Sequence, residues 1–73
     1  MISQEDQDYL KHIYNDRKKA GDMDDLAFFE LLYCLAKRLD LPFSQISDIA
    51  HKNDYATEAS FIRLAHSFVD KFK

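Results

Sequence analysis

The residues best suited to chemistry in this sequence are three histidines, one cysteine and a group of aspartates. Ser47, Asp48 and His51 lie within one short segment and invite comparison with a hydrolase. A catalytic triad, however, needs an ordered relay from Ser to His to Asp and an oxyanion site, which a small helical chain rarely provides. His12, His51 and His66 lack the paired spacing of zinc ligands. We therefore predict that the chain is not an enzyme and has no catalytic, cofactor or metal site.

Asp22, Asp24 and Asp25 are close together and could suggest a calcium loop. An EF-hand loop alternates its ligands over about twelve residues around a central glycine, whereas here the chain continues directly into Leu-Ala-Phe-Phe. We interpret these aspartates as caps of the helix that follows. Cys34, the only cysteine, excludes an internal disulfide, and its apolar neighbours predict a buried and inert thiol.

The apolar stretch at residues 26–39 organises the rest of the chain, because only Glu30, Lys37 and Arg38 are charged in it. A helix that is apolar nearly all round must be covered on several sides by other segments. We predict that it is the central helix of the core. Glu30 is expected to lie on an exposed side of this helix or to meet a partner group, since a buried carboxylate is costly.

Periodicity and capping signals predict an all-α fold, a compact single domain of four helices over residues 1–73 with no strand. The predicted helices span residues 4–20, 24–39, 44–51 and 57–72, and the last two form a pair resembling a helix-turn-helix. The expected N-caps are Ser3, Ser44 and Thr57, and Gly21 is the expected C-cap with positive φ. Asp40-Leu41-Pro42 should end the central helix. The predicted buried residues are Phe29, Leu32, Leu35, Ile49, Phe61, Ala65 and Phe68.

The charge balance bears on the class of partner. Ten basic and thirteen acidic residues give a net charge of −3, which is opposite to the basic balance of a domain that binds nucleic acid through its phosphates. Residues 21–50 carry six acids and two bases, and residues 51–73 carry three acids and four bases. The first residues show no basic and apolar leader pattern, and no apolar run is long enough for a membrane span, so we expect a cytoplasmic protein with no membrane contact.

Residues 46–68 have the spacing of a helix-turn-helix, with a small residue at the crossing of two helices and an aromatic residue at the corner. The segment Ile-Ser-Asp-Ile-Ala at 46–50, followed by Tyr55, Phe61 and Arg63, resembles the second helix-turn-helix of AraC-type transcription regulators. The resemblance implies a reading helix at residues 57–66, whose DNA-binding side chains would be Thr57, Glu58, Ile62, Arg63 and His66.

The sequence also departs from that family. Residues 43–45 are additional between Pro42 and the motif, and Asp54 stands where the family has glycine. The family's first helix-turn-helix has no counterpart here. With one firm cation, the reading helix is poorly equipped for base recognition.

Ten aromatic side chains among 73 residues are more than one small core readily hides. Surplus Tyr and Phe make good interface anchors. We therefore predict a small regulatory protein that binds a partner protein, as an inhibitor, adaptor or modulator, and we expect a homodimer or a hetero-complex. The predicted partner-binding residues are Tyr9, Tyr14, Phe28 and Tyr33. DNA binding by residues 57–66 is the alternative, and the charge balance disfavours it.

Overall fold

A computed structural model of the chain describes residues 2–50 and 55–73. These residues form four α-helices and no strand, which confirms the predicted all-α fold. The helices are α1 (Gln4–Ala20), α2 (Asp25–Leu39), α3 (Phe43–Ile49) and α4 (Glu58–Phe72). α1 packs against both α2 and α4, and α3 packs against α2. No helix within the described ranges has the length and apolar character to cross a membrane.

Side-chain caps define three of the four helix starts. The Ser3 hydroxyl accepts a hydrogen bond from the Asp6 backbone N–H (3.1 Å), and the Thr57 hydroxyl accepts one from Ser60 (3.0 Å), as predicted. At α2 the cap is Asp24, whose carboxylate accepts from the Ala27 backbone N–H at 2.8 Å. These bonds satisfy backbone donors that the helix itself leaves free.

Gly21 is the C-cap of α1, as predicted, but the predicted left-handed conformation is wrong. Gly21 has φ 163° and ψ −168°, which is extended backbone that any residue adopts, and open space surrounds the position of an added Cβ. The left-handed cap lies at the end of α2 instead, where Asp40 has φ 56° and ψ 56°. There the Leu41 backbone N–H donates to the Ala36 carbonyl (2.9 Å), so the turn closes before Pro42.

Because the left-handed angles lie at Asp40 and not at Gly21, we expect substitutions at the two caps to change stability in different ways. Asp40→Gly should raise the free energy of unfolding by about 0.5–1 kcal/mol, because glycine adopts left-handed angles without the cost that a Cβ brings. Gly21→Ala should be neutral or stabilising by up to about 1 kcal/mol, because alanine fits extended backbone and restricts the unfolded chain. Urea denaturation of both variants measures the changes. A loss of stability on Gly21→Ala would contradict the assignment.

The third helix begins one residue earlier than predicted, and Ser44 is not its N-cap. The Pro42 carbonyl accepts from the backbone N–H groups of Gln45 and Ile46 (both 3.1 Å), so the helical ladder starts at Pro42 and Ser44 lies inside the first turn. Proline fits this N-cap because its ring restricts φ to values close to the −75° found here, and because its missing N–H is not needed ahead of the first helical turn. α3 ends at Ile49, and the predicted last residue, His51, lies outside the described residues.

The core lies between α1, α2 and α4, with α3 closing one side through Ile46. The predicted burial of Leu32, Leu35, Phe61, Ala65 and Phe68 is confirmed. The largest fully buried side chains are Tyr14, Phe61, Phe68, Leu10, Leu32, Leu35 and Ile46. The core is therefore built as much on α1 and α4 as on the apolar α2.

Two of the residues predicted to be largely buried are not. Phe29 is 47% exposed, and Ile49 is only half-buried at the end of α3. The reason is that α2 is not covered all round, since its main helix contacts are with α1 and α3. An apolar run in the sequence marks a helix that can be buried on any side, but it does not say which sides other helices reach.

Candidate functional site

The exposed side of α2 carries three large apolar residues, Leu26 (66% exposed), Phe29 (47%) and Tyr33 (51%). They are spaced by three and four positions, so they lie along one side of the helix. We call these three residues the α2 stripe. Single exposed apolar residues are ordinary, but a row of three large ones on one helix forms a continuous apolar surface.

A groove adjoins the α2 stripe at Phe29, between the first half of α2 and the end of α3, and its cavity volume is about 190 Å³. We call it the α2–α3 groove. It is lined by Asp25, Phe28, Phe29 and Leu32 of α2, by Ser47 of α3, and by Ala50 and Tyr55. A mostly apolar lining with one carboxylate and one phenol at its edge suits an apolar side chain accompanied by a hydrogen-bond donor.

Tyr55 holds one wall of this groove in place. Its ring stacks on Phe28 with ring centres 4.3 Å apart, and its hydroxyl donates a hydrogen bond to the Asp25 carboxylate at 2.8 Å. Its carbonyl accepts a hydrogen bond from the Tyr14 hydroxyl at 2.9 Å. The bond to Asp25, together with partial burial, raises the pKa of the Tyr55 phenol. The predicted corner aromatic thus links α1 and α2 to the start of α4.

The far end of the α2 stripe is supported from two sides. Phe43, at the start of α3, meets the Tyr33 ring edge-on with centres 5.6 Å apart, and the Lys37 ammonium lies 5.5 Å from the centre of the same ring. Both contacts restrict the ring without covering it. A side chain that is exposed yet held in one place loses little entropy when a partner binds, which favours an interface anchor.

A second cleft, with a cavity volume of about 290 Å³, lies between α1 and α2. Ile13, Asp16, Arg17, Ala20, Glu30, Leu31 and Cys34 line it. Arg17 Nε is buried and lies 3.5 Å from Glu30 Oε2, which is an ion pair rather than a hydrogen bond. Glu30 is itself exposed, as predicted. Arg17 thus offsets Glu30, whereas Asp16 lies 3.1 Å from His12 on α1.

Cys34 is half-buried and not fully buried as predicted, because it opens onto this α1–α2 cleft. Tyr9 lies beside it. The pKa of its phenol is raised mainly by burial and, to a smaller extent, by the neighbouring Cys34 thiol. The Tyr9 ring also packs under the Arg38 guanidinium at 4.9 Å. Arg38 in turn donates to the Asp6 carboxylate at 2.7 Å, which lowers the pKa of Asp6 and joins the start of α1 to the end of α2.

The four aromatic residues predicted to bind a partner do not form one surface. Tyr14 and Phe28 are buried at 1% and 6% exposure, so they cannot contact a partner in this fold, and their selection as contact residues is corrected. The Tyr14 ring packs 5.6 Å from Phe61, and burial raises the pKa of its phenol. Tyr9 is half-buried, and Tyr33 alone is exposed.

Two members of the α2 stripe, Leu26 and Phe29, were not among the predicted partner-binding residues. Their spacing relative to Tyr33 was visible in the sequence, but the apolar residues on the other sides of α2 concealed it. Only the positions of α1 and α3 reveal which side remains open.

The residues of the DNA-binding hypothesis lie on α4 as far as His66, except Thr57, which lies just before the helix. Arg63 and Thr57 are exposed, whereas Ile62 and His66 are half-buried. Glu58 accepts a hydrogen bond from the Asn15 side chain of α1 at 2.8 Å, and an Arg63 guanidinium nitrogen lies 3.4 Å from the Ser60 hydroxyl. α4 packs mainly against α1, and α3 packs mainly against α2.

The other residues considered for chemistry have ordinary structural contacts. The Ser47 hydroxyl donates to the Ser44 carbonyl at 3.1 Å, Asp48 is exposed, and His51 lies outside the described residues. His12 lies 3.1 Å from Asp16 on the exposed side of α1. Within the ranges 2–50 and 55–73, no three His, Cys, Asp or Glu side chains are grouped so that they could hold a metal ion.

Comparisons with protein-family models, with curated proteins and with solved structures find no match for this chain.

Proposed function

We propose that this chain is a small non-enzymatic regulatory protein that acts by binding a partner protein through the α2 stripe and the adjoining α2–α3 groove. One observation carries the proposal: Leu26, Phe29 and Tyr33 are large, apolar and exposed in a row on one helix. Burying such a row against a partner removes apolar surface from water, which is the main favourable term in protein association.

The geometry of the groove supports the same proposal. Phe29 belongs to both the α2 stripe and the groove, so a partner that covers the stripe also reaches a concave apolar site. Aromatic anchors next to a cavity, with the Asp25 carboxylate at its edge, match the usual arrangement of an interface, which has an apolar, aromatic centre and a polar rim. An amphipathic helix laid along α2 would use this arrangement well.

Substitution within the α2 stripe should abolish partner binding while the fold remains intact. In a pull-down from lysate of the source organism, Phe29→Glu and Tyr33→Glu should each lose the same captured protein, because each places a charge in the apolar contact. Ala59→Glu, an apolar-to-acidic change at an exposed site on α4, is the matched control and should retain it. In a titration with the purified captured protein, Phe29→Glu and Tyr33→Glu should each raise Kd by at least about tenfold, and Ala59→Glu should leave it unchanged.

The DNA-binding alternative makes the contrary forecast. It requires a sequence-specific and salt-dependent complex with duplex DNA that Arg63→Ala abolishes and Phe29→Glu leaves unchanged. The exposed Arg63 on α4 is the observation that keeps this alternative open to test. Nuclease treatment of the lysate and an anisotropy titration against a random duplex library at two salt concentrations distinguish it from protein binding. Enrichment of one DNA motif that depends on Arg63 would overturn our proposal.

A further inference from the structure

The α2 stripe lies between aspartates at one end of α2 and an exposed lysine in its last turn. Asp22, Asp24 and Asp25 are exposed at and before the start of α2, and Lys37 is exposed in its last turn. At that second end Arg38 is already paired with Asp6 and Glu5, and the exposed Asp40 caps the helix, so Lys37 is the cation considered for a contact. The stripe residues occupy the helix between these ends. A surface with an apolar centre, aspartates at one end and an exposed lysine at the other can pair these groups with those of a second copy turned end for end.

We infer that the α2 stripe is covered by a second copy of this chain, with the two α2 helices antiparallel about a two-fold axis near Phe29 and Glu30. This arrangement places Leu26 of each copy opposite Tyr33 of the other. It also brings the acidic segment at Asp22 next to Lys37 of the second copy, twice over because of the symmetry. Closed two-fold contacts of this kind are the commonest form of self-association in soluble proteins.

The position of the axis also bears on Glu30, which would approach Glu30 of the second copy. In each chain the Arg17 guanidinium lies 3.5 Å from the Glu30 carboxylate and compensates its charge. The two Phe29 rings, next to the axis, would cover each other and part of the α2–α3 groove. The pairing therefore joins the apolar surfaces without leaving an unpaired charge at the centre.

The area involved predicts a weak and reversible dimer. Three side chains that are about half exposed supply on the order of 300 Å² of apolar surface per chain, since a whole aromatic side chain buries about 150–250 Å². A stable interface commonly buries about 800 Å² per partner. The second copy therefore acts as a displaceable cover, and a partner with a larger matching surface would replace it.

The second copy would occupy the same surface as the partner protein of the proposed function. Self-association is measured on the purified chain alone, so the two proposals can fail separately. Sedimentation equilibrium of the full chain, from about 10 µM to 1 mM, should show a reversible monomer–dimer equilibrium. Lys37→Glu and Asp22→Lys should each weaken it by about tenfold, because each opposes like charges at both ends. Phe29→Glu should abolish it. Circular dichroism verifies that each variant keeps its helix content.

Two comparisons make the test specific. An equal mixture of Lys37→Glu and Asp22→Lys chains should recover association, because the mixed pair restores opposite charges at both ends. Lys71→Glu is the matched control, because the Lys71 ammonium also lies over an aromatic ring, 5.9 Å from the centre of Phe72. It should leave the equilibrium unchanged, since Lys71 is on α4 and not on α2. A wild-type monomer over the whole concentration range, equal effects of Lys37→Glu and Lys71→Glu, or no recovery on mixing would each overturn the inference.

Discussion

Replacing Phe61 with alanine should lower the free energy of unfolding by about 3–5 kcal/mol, whereas Phe29→Ala should lower it by less than about 1 kcal/mol. Both changes remove the same atoms from the same residue type, near the start of a helix in each case. Phe61 is fully buried and packs 5.6 Å from the Tyr14 ring, so its loss leaves a cavity that neighbours cannot fill. Phe29 is 47% exposed, so much of its ring already contacts water.

Urea denaturation followed by circular dichroism measures both changes. A domain of this size has a total stability on the order of 5–10 kcal/mol, so Phe61→Ala should remove a large part of it. Leu32→Ala, at another fully buried position, should fall in the same range and serves as a second core variant. Equal stability losses for Phe61→Ala and Phe29→Ala would mean that the exposed side of α2 is assigned wrongly.

Tyr14→Glu should unfold the protein at neutral pH. Tyr14 is 1% exposed and packs against the Phe61 ring, so a carboxylate there would lose most of its hydration. The Lys18 ammonium, 6.0 Å from the centre of the Tyr14 ring, would offset only part of this cost, since the Glu58 carboxylate is also nearby. The cost of a largely desolvated charge, together with the cavity and the lost hydrogen bond to Tyr55, approaches the whole stability of the domain. The far-ultraviolet circular dichroism spectrum should show loss of helix.

Tyr14→Phe is the matched control, because it keeps the ring and removes only the hydroxyl. It should remain folded and lose about 1–2 kcal/mol, the typical effect of deleting a partly buried hydrogen bond. Tyr33→Glu provides the second comparison, since the same substitution at an exposed tyrosine should leave the fold intact. A folded, fully helical Tyr14→Glu variant would place Tyr14 at the surface and revive it as a contact residue for a partner.

The sequence was sufficient for the helices because their signals are local. Ser3, Thr57 and Asp24 cap through side chains close to the backbone groups they bind. Predictions that needed backbone angles were less successful. Gly21 looked like a left-handed cap, yet Asp40 takes those angles because Leu41 and Pro42 must turn away from α2 at once.

The candidate site was harder to predict because burial depends on how helices are placed. Tyr14 and Phe28 read as surplus aromatics, but α4 and Tyr55 cover them. Leu26 and Phe29 read as parts of an enclosed central helix, but no described helix covers their side of α2. Composition gives the amount of apolar surface, and only the packing of α1 and α3 on α2 decides which part stays outside.

The hydrogen bond from Tyr14 to the Tyr55 carbonyl has a consequence for folding kinetics. It joins residues 41 positions apart, and the Asn15–Glu58 bond beside it joins residues 43 positions apart. Closing so long a loop costs entropy before its contacts form, whereas α2 and α3 meet across a short turn. We expect docking of α4 onto α1 to limit the folding rate. Tyr14→Phe should therefore slow refolding in a stopped-flow experiment, while a change confined to α3 should mainly speed unfolding.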